Sequence, residues 1–399
     1  YPENPLSFPE HEMNLSVLLV SGGLAELDLS FRTAVPRLGL KVGDRTTFLK
    51  EASLDGGIAL RPDGFKLTLD SLKTKVPALS VTGTVSYDPQ TARISADVHG
   101  TDVDAGGVRE LMLVLAGKSR GVIKTFEVVK GGRVPQIRAQ VQDKTLDELG
   151  ELENVTITGS MVDGRIYIEP ADLEVEGATG DAVIEGGILE GRRLQAHTGA
   201  TTGHDGSLTL ALEKDPSGDG PFHLDIAVDA DLSRLPAVLL HAVKDKDFLV
   251  ELNRMSEIEG RAKGRLVLGE TVKDVKTKVD AREFNLQGKY QRTPFPIEVK
   301  GKALVFEGKS IAINGFEGSL GGSSWTPLDV SIDWGPSSRI QIQSESPAQI
   351  FLDQMFPWLT SFPRVKRGVP DIRNLKAMVA LQSAQLEGPL YAPAMWKYE

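Results

Sequence analysis

The sequence predicts a mainly β protein built as a long antiparallel sheet with a few short helices. Three observations predict it. Apolar and polar residues alternate with period 2 through most of the chain, short connections rich in Gly, Asp and Pro divide the alternating runs, and a helical period surfaces only in brief pieces. Alternation of this kind marks antiparallel strands with one solvated face, because strands buried on both faces read as continuous apolar runs. About eighteen to twenty strands fit the template. A sheet of that many strands does not stay flat; it splits into a β-sandwich, closes, or curls into a trough.

The elements follow in chain order. Ala25, Leu27, Leu29 and Phe31 alternate with polar neighbours, as do Leu67 and Leu69, then Val81, Val85 and Tyr87, then Ile94, Ala96 and Val98, then Ile137, Ala139 and Val141. In "GRIYIEPADLEVEGATGDAVIEGGILEG", residues 164–191, the pairs Ile166 and Ile168, Leu173 and Val175, and Ala182 and Ile184 read as short strands, each stopped by Gly or Pro. Leu208, Leu210 and Leu212 form another. In "GPFHLDIAVDADL" Phe222, Leu224, Ile226 and Val228 share one side, with His223, Asp225 and Asp229 on the other. "IEGRAKGRLVLG" places Leu266 and Leu268 on one face. Val275 and Val279 oppose Lys276, Lys278 and Asp280, Ile311 and Ile313 alternate in "EGKSIAING", and Leu328, Val330 and Ile332 oppose Asp329, Ser331 and Asp333. The connections "PDG", "YDPQ", "KGG", "VDG", "EGG", "DPSGDG" and "FEGK" suit hairpins. Helical spacing is confined to 106–117, to two pieces within 231–257 beginning at a capping Asp231, and to 347–361.

Bulk composition narrows the function. The net charge is −10, from 45 Lys and Arg against 55 Asp and Glu, and the cations are dispersed, so neither a nucleic-acid footprint nor electrostatic docking on anionic lipid is expected. The absence of cysteine excludes disulfides, Cys-ligated zinc and thiol catalysis. The longest apolar run, "LSVLLV" at 15–20, is too short for a membrane span or a signal peptide. A chain that begins "YPENPLSFPE" reads as an excised piece from which an N-terminal anchor is missing.

There is loose internal recurrence. Segments starting at 63, 163 and 307 share a Gly turn, an alternating strand, a second short strand and a further Gly. The series "FHLDIAVDADLSRLPAVLL", "IEGRAKGRLVLG", a Lys-rich alternating strand and "ALVFEGKSIAINGFEGSLGGSS" resembles the repeat unit of the AsmA-like proteins of Gram-negative bacteria, the superfamily that includes TamB and YhdP. The terminal "LEGPLYAPAMWKYE" resembles the junction at which such chains start their next repeat. The resemblance divides the chain into an N-terminal part of the sheet at 1–150, an AsmA-like repeat region at 151–371 and the start of a following repeat at 372–399. It implies a highly curved sheet forming an apolar groove (a β-taco, or open trough) in the periplasm, anchored at the inner membrane, that carries phospholipid or another acyl lipid between membranes, with envelope proteins as further partners.

The residues agree with a groove that needs no polar site, since apolar transfer is non-directional and scales with area. The candidate lipid-binding, groove-lining residues are Ile166, Ile168, Leu173, Val175, Leu224, Ile226, Val228, Leu266, Leu268, Val275, Val279, Ile311, Ile313, Leu328, Val330 and Ile332. The same side chains would equally fill the core of a two-sheet sandwich, and a structural or adhesive β-repeat protein is the alternative function. Catalytic and cofactor signals are lacking: the six histidines are scattered, no nucleophile or nucleotide motif stands at a strand-to-helix junction, and no metal or cofactor is expected. "GTDVDAGG" at 100–107 and "DPSGDG" at 215–220 carry oxygen ligands without the length or closing Glu of a calcium loop, and read as turns.

Overall fold

A computed structural model describes residues 6–7, 11–23, 26–117, 119–145, 148–169, 172–234, 236, 240, 249–250, 252–291, 293, 295–333, 338–344, 348–361, 366–367, 375–389 and 395–398. Among them run 24 strands, joined in one long antiparallel sheet. In chain order they are β1 (Leu6–Ser7), β2 (His11–Gly23), β3 (Glu26–Val42), β4 (Arg45–Arg61), β5 (Gly64–Thr74), β6 (Leu79–Asp88), β7 (Arg93–Asp104), β8 (Val129–Lys144), β9 (Thr156–Ile168), β10 (Leu173–Glu185), β11 (Ile188–Thr198) and β12 (Thr201–Ala211). Then come β13 (Pro221–Asp231), β14 (Met255–Thr271), β15 (Val275–Tyr290), β16 (Ile297–Gly301), β17 (Ala303–Glu307), β18 (Ser310–Leu320), β19 (Ser323–Asp333), β20 (Arg339–Ser344), β21 (Ala348–Phe351), β22 (Met378–Leu381), β23 (Ala384–Pro389) and β24 (Lys397–Tyr398). The two separate sheets of a sandwich are not found among them.

The chain divides into two compact units, 1–198 with 203–224 and 269–275, and 199–202 with 225–268 and 276–399. In the first unit β2 to β11 form a meander, each strand pairing with the next. In the second, β16 and β17 both lie between β15 and β18, β19 follows β18, and β20 and β21 line the far side of β19. Turn chemistry sets the hairpins. Gly186 and Gly187, at φ +57° and +74°, form the two-residue turn that lets Glu185 face Ile188.

The strands are longer than the short runs expected from sequence, because glycine does not stop them. β10 passes through Gly177 and Gly180 without a break. Instead, one extra residue is inserted at Gly177 against both neighbours, a β-bulge with φ +62°. The insertion changes the parity of the strand: Leu173 and Val175 lie on the same face as Ala178, Ala182 and Ile184. β9 makes the compensating change at Asp163, φ +53°, so that Ile157 and Met161 share a face with Ile166 and Ile168. Both parity sets are apolar, and one bulge in each strand keeps them on one side.

Helices occupy connections between strand ends. α1 (Ala105–Leu115) begins where Asp104 accepts a hydrogen bond from the Gly106 amide, and it touches β3, β4, β7 and β8. Its Val108 packs on the cluster of Val103, Ala105 and Val134. α2 (Arg120–Val128), capped by Ser119, is an element the periodicity reading missed. α3 (Leu352–Thr360) is shorter than the helix expected over 347–361, because Ala348–Phe351 pairs with β22 as strand β21. Of the helices expected within 231–257, a 3-10 turn at Leu232–Arg234 is seen, the described Pro236, Leu240, Leu249, Val250 and Leu252 are helical, and the residues between them at 235, 237–239, 241–248 and 251, with the expected contacts Leu235, Val238, Leu239 and Phe248, lie outside the described residues.

Candidate functional site

Strand register turns the alternation into rows of touching apolar side chains. In the second unit one row runs Val279, Phe306, Ile311, Ile332, Ile340, each directly opposite the next across neighbouring strands. The adjacent row runs Ala281, Leu304, Ile313, Val330, Ile342, Leu386. Directly opposed residues have Cβ atoms about 4.5–5.5 Å apart, so each row is a continuous apolar strip. Bulges at Gly315 in β18 and between Trp325 and Leu328 in β19 carry the strip onward to Phe316 and Trp325, whose rings stack at 5.9 Å. In the first unit a comparable row runs Val17, Phe31, Gly56, Leu69, Gly83, Val98, Ala139, Ile157, Ile184, Leu189.

The opposite face is charged and wet. Arg138 donates to both carboxylate oxygens of Asp97 at 2.9 and 2.6 Å, Lys278 pairs with Glu307 at 3.1 Å and Arg339 with Glu387 at 2.8 Å. The Asp97 carboxyl is held down to about 2, first by the hydrogen bond from Arg138 and further by the charges of Arg138 and His99.

The register joins Ile166 to Val175 and Ile168 to Leu173 in the first unit. In the second it joins Val279, Ile311, Ile313, Val330 and Ile332 within the two rows, with Leu328 facing Phe316. Of the sixteen groove candidates only Ile168, Leu224 and Leu268 are buried; the other thirteen are half-buried. A closed core would bury them nearly all. Members of the rows that periodicity alone missed, such as Phe306, Ile340 and Ile342, lie on short strands whose pattern is too brief to read.

Complete burial is rare and lies toward strand ends. Phe222 and Ser323 are the largest fully buried side chains, and Ser323 accepts a hydrogen bond from the Phe351 amide at 2.9 Å. In the first unit, Leu208, Leu210 and Leu212 at the close of β12 are buried, as is Val128 at the end of α2. These two places belong to opposite strand ends, since β9 finishes beside α2 while β12 finishes beside the turn that follows β10. Yet they meet. Lys214, just beyond β12, donates to Glu169, just beyond β9, at 2.9 Å. Across a flat sheet those ends would stand about a strand length apart, and a 13-residue strand such as β9 spans roughly 43 Å. The Glu169 carboxyl is held below its ordinary value chiefly by the Lys214 hydrogen bond, with the charges of Lys214 and Lys124 adding to it against partial burial.

Backbone proximity within the strands fits strong bending. A Cβ added to Gly83 would lie 2.4 Å from the Asp97 carbonyl oxygen, and one added to Gly264 would lie 2.4 Å from that of Asp280, so only glycine fits at either place.

The remaining polar candidates have local work. Asp104 caps α1, and Asp215 accepts from the Ser217 hydroxyl at 2.6 Å and the Asp219 amide at 2.9 Å. Among the described residues no group of three His, Cys, Asp or Glu side chains is placed to hold a metal, and no helix is long and apolar enough to cross a membrane. Comparisons with family models, curated proteins and solved structures found no match to this chain.

Proposed function

We propose that the apolar face is the wall of a groove that holds acyl chains, and that the protein carries phospholipid or another acyl lipid, or maintains membrane lipid balance, without catalysing a reaction. The observation that supports this is the set of adjacent apolar rows, mostly half-buried, on one face while the other face carries ion pairs. A soluble monomer tolerates only a limited open apolar patch, and acyl chains lying along the rows would cover this face. Acyl chains fit it because area, and not a directional site, sets their affinity. The bulges and close-packed glycines supply the bending that a trough requires.

A periplasmic location, with anchoring at the inner membrane through a segment outside this sequence, belongs to the same proposal and rests on the resemblance to the AsmA-like proteins. The test is extraction: protein purified from a bacterial host should release phospholipid or fatty acid into organic solvent in more than trace amount. Lipid-free, monomeric and non-aggregating protein would refute the groove.

One observation favours a second reading, a β-protein that binds partner proteins. β2 pairs only with β3 among the described strands, and Leu15, Val17, Leu18, Leu19 and Val20 are each more than half exposed, on both of its faces. Such an edge is a template for another strand. Retention of an apolar peptide strand by the chain, lost on placing Pro at Leu18, would support that reading.

A further inference from the structure

We propose that α2 and the segment 212–218 form a clasp that closes one section of the groove in the first unit and must open for a lipid headgroup to pass that section. The proposal rests on the groove reading. Its basis is the meeting of opposite strand ends. α2 follows the end of α1 and leads into β8, and it also touches the 3-10 turn Glu148–Gly150 that lies beyond the far end of β8. Arg120 and Lys124 of α2 face Glu213, Lys214, Asp215 and Ser217 across a cavity of about 520 Å³. A second cavity of about 270 Å³ shares Lys124, Leu212 and Lys214 with the first and is lined by Val128 and Leu210 together with Glu127, Lys130, Tyr167 and Glu169. Water-accessible charged side chains thus stand beside the buried Val128, Leu210 and Leu212, a pairing that suits an acyl lipid with its headgroup at the charges and its chains at the apolar residues.

The contacts suit repeated opening. Glu169 is 61% exposed and Lys214 25%, and an ion pair this accessible to water is weak and easily exchanged. The Lys214–Glu169 pair is a direct ionic tie between the two ends, and Lys124, paired with Glu127 within α2 at 2.6 Å, adds its charge to Glu169. Short acyl tails pass under such a tie, whereas a hydrated headgroup is too polar to follow them across the buried Leu210 and Leu212.

The chain has no cysteine, so Glu169→Cys with Lys214→Cys introduces the only two thiols. This variant is loaded with a fluorescent phospholipid, bridged by a short cleavable dithiol-reactive linker, and mixed with acceptor phosphatidylcholine vesicles. The expected result is a fraction of lipid that stays bound while the bridge is intact and leaves when it is cut. Lys214→Glu should release lipid several-fold faster than the unaltered chain, and the double exchange Glu169→Lys with Lys214→Glu should restore the slower rate, all at unchanged melting temperature. Release that ignores the bridge and both charge variants overturns the clasp while leaving the groove intact. A chain that takes up no phospholipid in any form overturns both. If the cysteine variant does not fold, the charge variants decide alone.

Discussion

Val330 stands between Ile313 and Ile342 in its row, half-buried, with Asp329 and Ser331 on the opposite face. What its side chain meets decides how the protein tolerates a charge there. In a closed core an unpaired carboxylate costs several kcal/mol, comparable to the stability of a domain. On a half-exposed wall the carboxylate stays hydrated. Val330→Asp is therefore expected to remain folded, with a modest drop in melting temperature, and to carry less lipid on extraction than the unaltered chain. A wholly unfolded variant would point to a core. On the outer face, Asp97 titrates at about 2 in the folded state against an ordinary value of 3.8. A depressed carboxyl contributes stability above its unfolded value and loses it as pH falls through the folded one. Denaturant melts of Asp97→Asn should thus show a deficit that is constant above about pH 4 and fades toward pH 2, and high salt should shrink it.

Each strand must keep its apolar residues on one side while bending, and the bulges achieve this. Removing one residue at Asp163 would shift every β9 residue beyond it to the other face, putting Ile166 and Ile168 in water and Arg165 and Tyr167 inward. Deletion of Asp163 is expected to cost several kcal/mol in chemical unfolding, whereas Asp163→Gly, which accepts φ +53° more readily, should be neutral or slightly stabilising. At the helix scale, Asp104→Ala removes the oxygen that accepts from the Gly106 amide and should cost about 1 kcal/mol, read from the denaturation midpoint. The element boundaries that alternation misplaced share one cause. Glycine inside a strand reads as a stop when only the chain is seen, yet here Gly177 is a bulge position against both its neighbours and Gly315 one against β19.

For the molecule as a whole, the proposed groove makes acyl lipid a ligand of the folded state. Binding of lipid to the folded state alone must stabilise it by mass action. Stripping lipid with organic-phase exchange or detergent is expected to lower the melting temperature, raise binding of an apolar dye and promote aggregation. Re-adding phospholipid should reverse all three in a concentration-dependent way. A melting curve indifferent to phospholipid would argue that the face is covered by protein.

The sequence alone determined where most strands lie and which side chains share a face over short distances, because period 2 is a property of neighbours along the chain; Leu328, Val330 and Ile332 are legible without coordinates. It also determined the wet face, since Asp and Lys at alternate positions of β15 and β19 leave no other arrangement. The tertiary structure decided how the faces continue. Parity is carried through a bulge only by the register of the adjacent strands, and the contact of Glu169 with Lys214 joins positions 45 residues apart by bending that no local pattern encodes. Whether an apolar side chain ends half-exposed or sealed depends on what stands across from it, and that is a property of the folded sheet.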